Sequence, residues 1–335
     1  MGHRARILRE RWLRFWFEPV EPLNLGVCRI LFFGAFFLLY AVVWQADYSA
    51  WGEVSKSFWM PISLFEILHL PLLSGSLLVV IQSVWKLSLA SSCLGIFTRT
   101  STVSSFVLGI YLLGLPHNFG KINHSNAIVV IILGIMALSR CGDSCSLDRV
   151  ISRVRHRGGA SAERPRASGE YTWPVRTVWV LFALIFFAAG VSKLRHSGLE
   201  WIFSDNMANL LIDASYTDAT LLPIGSYVSQ YSWLPQLIAS GTVALELSYP
   251  LALFSRRARW IIVPGVFFMQ VGIKVFMGVD FYPFLICNLF WVPWDRVSQR
   301  LIRSCHKLRP LHKQWPLHRQ WPLDAEQTKQ DNVQR

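Results

Sequence analysis

Val178-Trp-Val-Leu-Phe-Ala-Leu-Ile-Phe-Phe-Ala-Ala-Gly-Val-Ser192, followed at once by Lys193-Leu194, is the stretch whose reading decides the fold. With its flanks, Val175–Leu194 reaches the ~20 apolar residues that cross ~30 Å of hydrocarbon as a helix. A cation at the margin of such a segment is either an anchor reaching for the interface or a working group.

Outward from this run lie seven further apolar segments, of which Thr102–Leu115, Asn126–Leu138 and Phe281–Val292 are short. The seven are Leu25–Trp44, Leu77–Phe97, Thr102–Leu115, Asn126–Leu138, Pro235–Phe254, Trp260–Val279 and Phe281–Val292. The expectation is an all-α, polytopic transmembrane bundle of about eight spans with short amphipathic interfacial helices. Composition agrees. Of 335 residues 53% are hydrophobic, only 16% are charged, and mean hydropathy is +0.36. A soluble domain of this size needs more charge to cover its surface.

The net charge of +13 raises the question of nucleic acid, but its placement answers it. With a cytoplasmic N terminus and eight spans, 26 of the 33 Lys and Arg residues fall on one side. The opposite side has Lys56, Lys121 and Arg195, while Arg29, Lys86, Lys193 and Lys274 lie in or at the edge of spans. This is the positive-inside asymmetry, so both termini read as cytoplasmic and nucleic acid is not an expected partner. The six Cys residues show no disulfide pattern. Cys141-x-x-x-Cys145 lacks a second pair at ligand spacing, so no metal is expected.

Three regions follow from composition. Residues 1–19 form a basic arm in which Leu8, Trp12, Phe15 and Trp16 share a helical face among arginines, an interfacial anchor in contact with membrane lipid. Residues 20–295 are the membrane domain. Residues 296–335 read as a basic disordered tail with a short duplication, Pro310-Leu-His-Lys-Gln-Trp315 and Pro316-Leu-His-Arg-Gln-Trp321. The loop Arg149–Ser168 is polar, Gly- and Arg-rich, and reads as mobile. Loops 45–73 and 195–233 are too aromatic for solvated loops and are expected to hold short helices capping the outer interface.

The candidates for chemistry are polar groups at membrane depth. Lys193 ends one span and Asn123-His124-Ser125 begins another from the same side, which brings them to one level. Each has a plainer reading: Lys193 snorkels and His124 caps its helix. Arg29 is expected to snorkel too, and Lys86 to pair with Glu246 as a buried structural bridge. A lysine desolvated by Phe186, Phe187, Ala188 and Val191 is disfavoured as the ammonium and becomes available as a neutral amine base.

The run Phe186-Phe-Ala-Ala-Gly-Val-Ser-Lys-Leu194 resembles a stretch of the vitamin K-dependent γ-glutamyl carboxylases. Asn123-His124-Ser125, Gly142-Asp143 to Ser146-Leu-Asp148, Leu25–Gly34 with Arg29, Leu245-Glu-Leu-Ser248 and Phe276-Met-Gly278 resemble that family in order. Their membrane domain is shared with bacterial horizontally transferred transmembrane (HTTM) proteins. The resemblance implies Lys193 as the base toward reduced vitamin K or a related quinol. It implies O2 and CO2 as co-substrates, His124 with Asn123 at the carboxylation half, and a peptide glutamate as substrate on the outer face of a bacterial cytoplasmic membrane. It also departs. Phe268 stands where many members have histidine, Arg195-His-Ser-Gly198 follows the lysine, and no large lumenal domain follows the spans. Quinol oxygenation is therefore the stronger expectation than protein carboxylation. The alternatives are maturation or export of a secreted peptide, and a non-enzymatic membrane scaffold.

Overall fold

The computed structural model describes residues 3–121, 124–155, 165–216 and 224–300, and among these there is no strand. The chain divides into two compact units, 1–293 and 294–335, and the bundle lies in the first. Asn123, residues 156–164 of the 149–168 loop and the duplicated tail motif lie outside the described residues.

The N-terminal part holds α1 (His3–Phe17), α2 (Leu23–Phe37), α3 (Ser63–Ile67), α4 (Gly75–Leu94), α5 (Thr98–Gly114), α6 (His124–Leu138) and α7 (Leu147–Arg155). The C-terminal part holds α8 (Trp173–Ser197), α9 (Glu200–Phe203), α10 (Asn206–Ser215), α11 (Gly225–Ser229), α12 (Trp233–Ser248), α13 (Leu251–Phe254), α14 (Arg256–Met277) and α15 (Tyr282–Cys287). Helices α2, α4, α5 and α6 pack in sequence order as one half. Helices α8, α12 and α14 pack as the other, and α6–α8 and α6–α15 contacts join them.

Four segments are long and apolar enough to cross a membrane: Leu23–Val43, Gly75–Leu94, Gly169–Ser197 and Arg256–Met277. The first is completed by a π-helical turn, Leu38–Val43. Helices occupy the other expected segments as well, but the last is short. Tyr282–Trp291 has ten residues and rises about 15 Å, half the hydrocarbon thickness. It lies against the bundle, with Phe290 beside Phe32 and Trp291 on Trp179.

Short helices are present in both aromatic loops, as the 3-10 turns Ser49–Glu53 and Lys56–Phe58 with α3, and as α9 to α11. The mobile reading of 149–168 fails at its start, where α7 forms. Its Leu147, Val150, Ile151 and Val154 recur at i, i+3, i+4 and i+7 and are exposed, while Arg149, Arg153 and Arg155 lie between them. This is a second amphipathic helix, with an exposed apolar face.

Arg29 does not snorkel. It is fully buried in α2 and donates Nε to Cys141 O (3.1 Å), Nη1 to Ser92 O (2.5 Å) and Cys93 O (2.9 Å), and Nη2 to Cys145 O (2.6 Å). The carbonyls come from the end of α4 and the turn after α6, so one guanidinium ties three segments together. The reason is geometric. α4 ends at Gly95, whose φ of +71° favours glycine, and the orphan carbonyls of its last turn face Arg29.

Asp148 completes the knot from the other side. Its Oδ1 accepts from the Phe97 N–H (2.8 Å), and its Oδ2 from the Thr98 N–H and hydroxyl (both 2.7 Å), capping α5 from outside the helix. Burial opposes ionisation here, but these donors and the nearby Arg29 outweigh it and hold the carboxyl below the usual carboxylate range. A group depressed in the folded state contributes stability above its unfolded value and loses it as pH falls through the folded one. Asp148→Asn is therefore expected to cost about 1 kcal/mol near neutral pH and to flatten the acid limb of a stability–pH curve. Detergent-solubilised unfolding followed between pH 3 and 7 checks it, and an unchanged acid limb refutes it.

Candidate functional site

The second half of the bundle is built around a close contact of α8 with α12. Gly190 allows it: a Cβ there would meet Leu247 side-chain carbons at 3.0 Å and the Glu246 Cβ at 3.1 Å. With no side chain in the way, Glu246 comes to lie opposite Lys193, one helical turn further along α8.

The two charges are joined. Lys193 Nζ donates to both Glu246 oxygens, Oε1 and Oε2, at 2.7 Å each. It also lies 5.3 Å from the centroid of the Trp201 ring, carried by α9. The Glu246 side chain is 6% exposed and that of Lys193 24%, so the glutamate is enclosed and the lysine side chain is only partly covered. Ile202, Met207, Leu211, Ala239 and Val243 form the apolar core next to the pair, with Leu194, Trp201 and Leu247 packed on it. One turn along α12 from Glu246, the Tyr249 ring sits 4.7 Å from that of Phe186, which is 5.9 Å from Phe284.

The bridge expected between Lys86 and Glu246 is not formed. Lys86 Nζ donates to Ala46 O (2.6 Å), at the chain exit from the π-helical turn. Gln82, one turn away on α4, donates to Asp47 (3.0 Å) and accepts from the Tyr48 N–H (2.7 Å). Lys86 thus finds a backbone carbonyl locally, and Glu246 is left for the cation on its own neighbour helix. Lys274 makes a third arrangement, an ion pair with Asp280 at 2.5 Å.

His124 is the exposed first residue of α6. Among the described residues, the ion pair, hydrogen bonds and ring contact of Lys193 go to Glu246 and Trp201 and none to His124. Asn123 lies outside the described residues. Also among the described residues, no group of three His, Cys, Asp or Glu side chains is placed to hold a metal ion. Sequence reading missed the partners of Lys193. The available signal was Glu246 itself, a carboxylate inside an apolar segment that needs a cation at its own depth.

A helical bundle of apolar spans, with a charged pair enclosed between two of them, defines an all-α integral membrane protein. The HTTM domain model matches residues 17–293, and the chain belongs to that family. No curated protein and no solved structure matches it.

Proposed function

We propose that this protein is a quinol-dependent oxygenase in which the Lys193–Glu246 pair is the proton acceptor. The observation that carries the reading is that pair, an enclosed Glu246 joined to a partly exposed Lys193, in a chain of the HTTM family. When bound, a reduced naphthoquinone reacting with O2 supplies epoxide-forming chemistry. Coupled to a peptide glutamate and CO2, that chemistry drives carboxylation.

The residues' own part is proton handling. Whether the shared proton rests on nitrogen or on oxygen, the pair accepts one more and ends as ammonium beside a neutral carboxyl. Lys193 Nζ is the atom that meets an incoming hydroxyl, since Glu246 is closed off behind it. Glu246 fixes the amine and carries the second proton of the pair as a neutral carboxyl.

A lipophilic hydroxyl donor suits the composition of this half of the bundle. The Gln270 Oε1 and Asn288 Oδ1 acceptors are buried without a partner among the described residues, and both belong to the half of the bundle that holds the pair. Aromatic side chains Phe186, Tyr249 and Phe284 lie along the same half. The positive-inside bias supports cytoplasmic termini and an outward-facing site, since Lys193 lies at the far end of α8 from Arg176.

Membranes containing the protein, given reduced vitamin K and O2, are expected to form the epoxide. Lys193→Ala is expected to lower that rate at least ~100-fold, the scale of a lost general base. His124→Ala is expected to leave epoxide formation and to reduce any carboxylation of an added peptide. No epoxide from the wild type, or equal turnover in Lys193→Ala, overturns the reading. A non-enzymatic scaffold is the rival, favoured by the saturated geometry of the Lys193–Glu246 pair. It predicts that Lys193→Ala and His124→Ala change no turnover at all.

A further inference from the structure

Two arginines close on one indole at the end of α8 far from Lys193. Arg176, in the first turn of α8, places its guanidinium carbon 4.2 Å from the Trp179 ring centroid. Arg259, in the first turn of α14, places its own 4.3 Å from the same centroid. Trp291 stacks on Trp179 at 4.3 Å and 8°, and Arg259 also lies 5.4 Å from the Trp291 ring.

This arrangement is short of negative charge. Like charges sharing a ring repel, and each sits at a helix N-terminus whose partial charge is itself positive. Glu18 stands 4.0 Å from Arg176, at the outer limit of an ion pair, and is half exposed. Among the described residues, no carboxylate oxygen lies within 4.0 Å of an Arg259 nitrogen. Arg259 instead donates Nε to Ala252 O (2.9 Å) and Nη2 to Leu253 O (3.3 Å), which fixes the plane of its guanidinium.

A groove lies on the Arg176 side of the pair. Leu13, Arg14, Phe17, Glu18 and Pro19 line an open hollow of about 720 Å³, and Arg176 borders it through Glu18 and through Phe15, 5.2 Å away. Its apolar lip is real surface, since Leu13 and Phe17 are both exposed. The wall is also fixed. Val20 and Ser168 exchange backbone hydrogen bonds at 3.3 and 3.0 Å, and the Thr172 hydroxyl donates to Glu18 O. Helix α1 is thereby fastened to the start of α8.

We propose that this is a binding site for an anionic phospholipid. Arg176 and Arg259 hold the phosphate, and an acyl chain lies along Leu13 and Phe17. Two guanidinium groups with planar forks match phosphate oxygens better than point-charge ammonium groups. The position at the ends of membrane helices, with an exposed apolar lip on the Arg176 side, fits an amphiphile and not a free ion.

The test uses the full-length protein in neutral detergent, measuring its unfolding midpoint and its retained lipid by native mass spectrometry. Phosphatidylglycerol is expected to raise the midpoint by about 5 °C and to stay bound, while phosphatidylcholine and inorganic phosphate do neither. Arg176→Gln/Arg259→Gln is expected to erase the preference, and Arg176→Lys/Arg259→Lys to keep part of it. The proposal is overturned if phosphatidylcholine matches phosphatidylglycerol, if phosphate alone reproduces the shift, or if the glutamine variant keeps its preference. Should the glutamine variant not fold, the three additions to the wild-type protein decide the matter.

Discussion

Replacing Lys193 with Met alone is expected to destabilise the bundle by about 3–5 kcal/mol, whereas Lys193→Met/Glu246→Leu returns most of that loss. The physical reason lies in the unequal enclosure of the partners. Glu246 is 6% exposed and cannot turn to water once its cation is gone. Lys193 is 24% exposed on a flexible stem, so Glu246→Leu alone is expected to cost less, about 2–3 kcal/mol. Removing both charges leaves two apolar side chains in a seam already lined by Val243, Leu194 and Leu247. Reversible unfolding in mixed micelles measures all three variants. If the double replacement is as unstable as Lys193→Met, the pair is not acting as a unit. The same three proteins separate stability from chemistry, because the double variant regains its fold and still forms no epoxide.

The second large effect is expected at Arg29. Arg29→Met keeps the bulk of the side chain but strips four carbonyls of their donor: Ser92, Cys93, Cys141 and Cys145. Each buried carbonyl left unpaired costs about 1–3 kcal/mol, and partial relaxation of the turns reduces the sum to about 4–6 kcal/mol. Arg29→Lys is expected to recover little, since one ammonium cannot span carbonyls that the planar fork reaches in several directions. The loss should be local first. Proteolysis is expected to cut the segment between α6 and α7 before the bundle unfolds, because that turn is held by Arg29 and by Asp148. A variant as protease-resistant and as stable as the wild type contradicts this account.

Much of this architecture was legible in the chain. Apolar runs such as Val178–Ser192 have no other stable environment than a bilayer or a buried core, so helix positions followed from composition and length. The amphipathic arm was legible for the same reason, since alternating arginine and aromatic residues at helical spacing admit one face each. Helix α7 carried an equally clear period in Leu147, Val150, Ile151 and Val154, but its Arg- and Gly-rich continuation masked it.

The partners of the buried charges were not legible, and the reason is general. Depth along a span can be read from sequence, but rotation about the helix axis and the choice of neighbour cannot. Lys86, Lys193 and Lys274 all lie in or beside spans, and nothing local says which meets Glu246. Gly190 decides it, by letting α12 close on α8 at the level of Lys193, while Ala46 O satisfies Lys86 on its own side of the bundle. Arg29 was misread for the same reason. Its depth near a helix end suggested escape to the interface, yet the end of α4 and the turn after α6 converge on it and exclude water.

By itself, then, the sequence determined that this is an all-α membrane protein of the HTTM type, where its helices run, and which cations lie in or beside its apolar segments. Only the tertiary structure decided that Lys193 is held by Glu246, that Arg29 ties three segments together, and that Arg176 and Arg259 share one indole. Hydrophobic length is a property of consecutive residues, whereas charge pairing depends on which helix faces the other turn come to rest against each other.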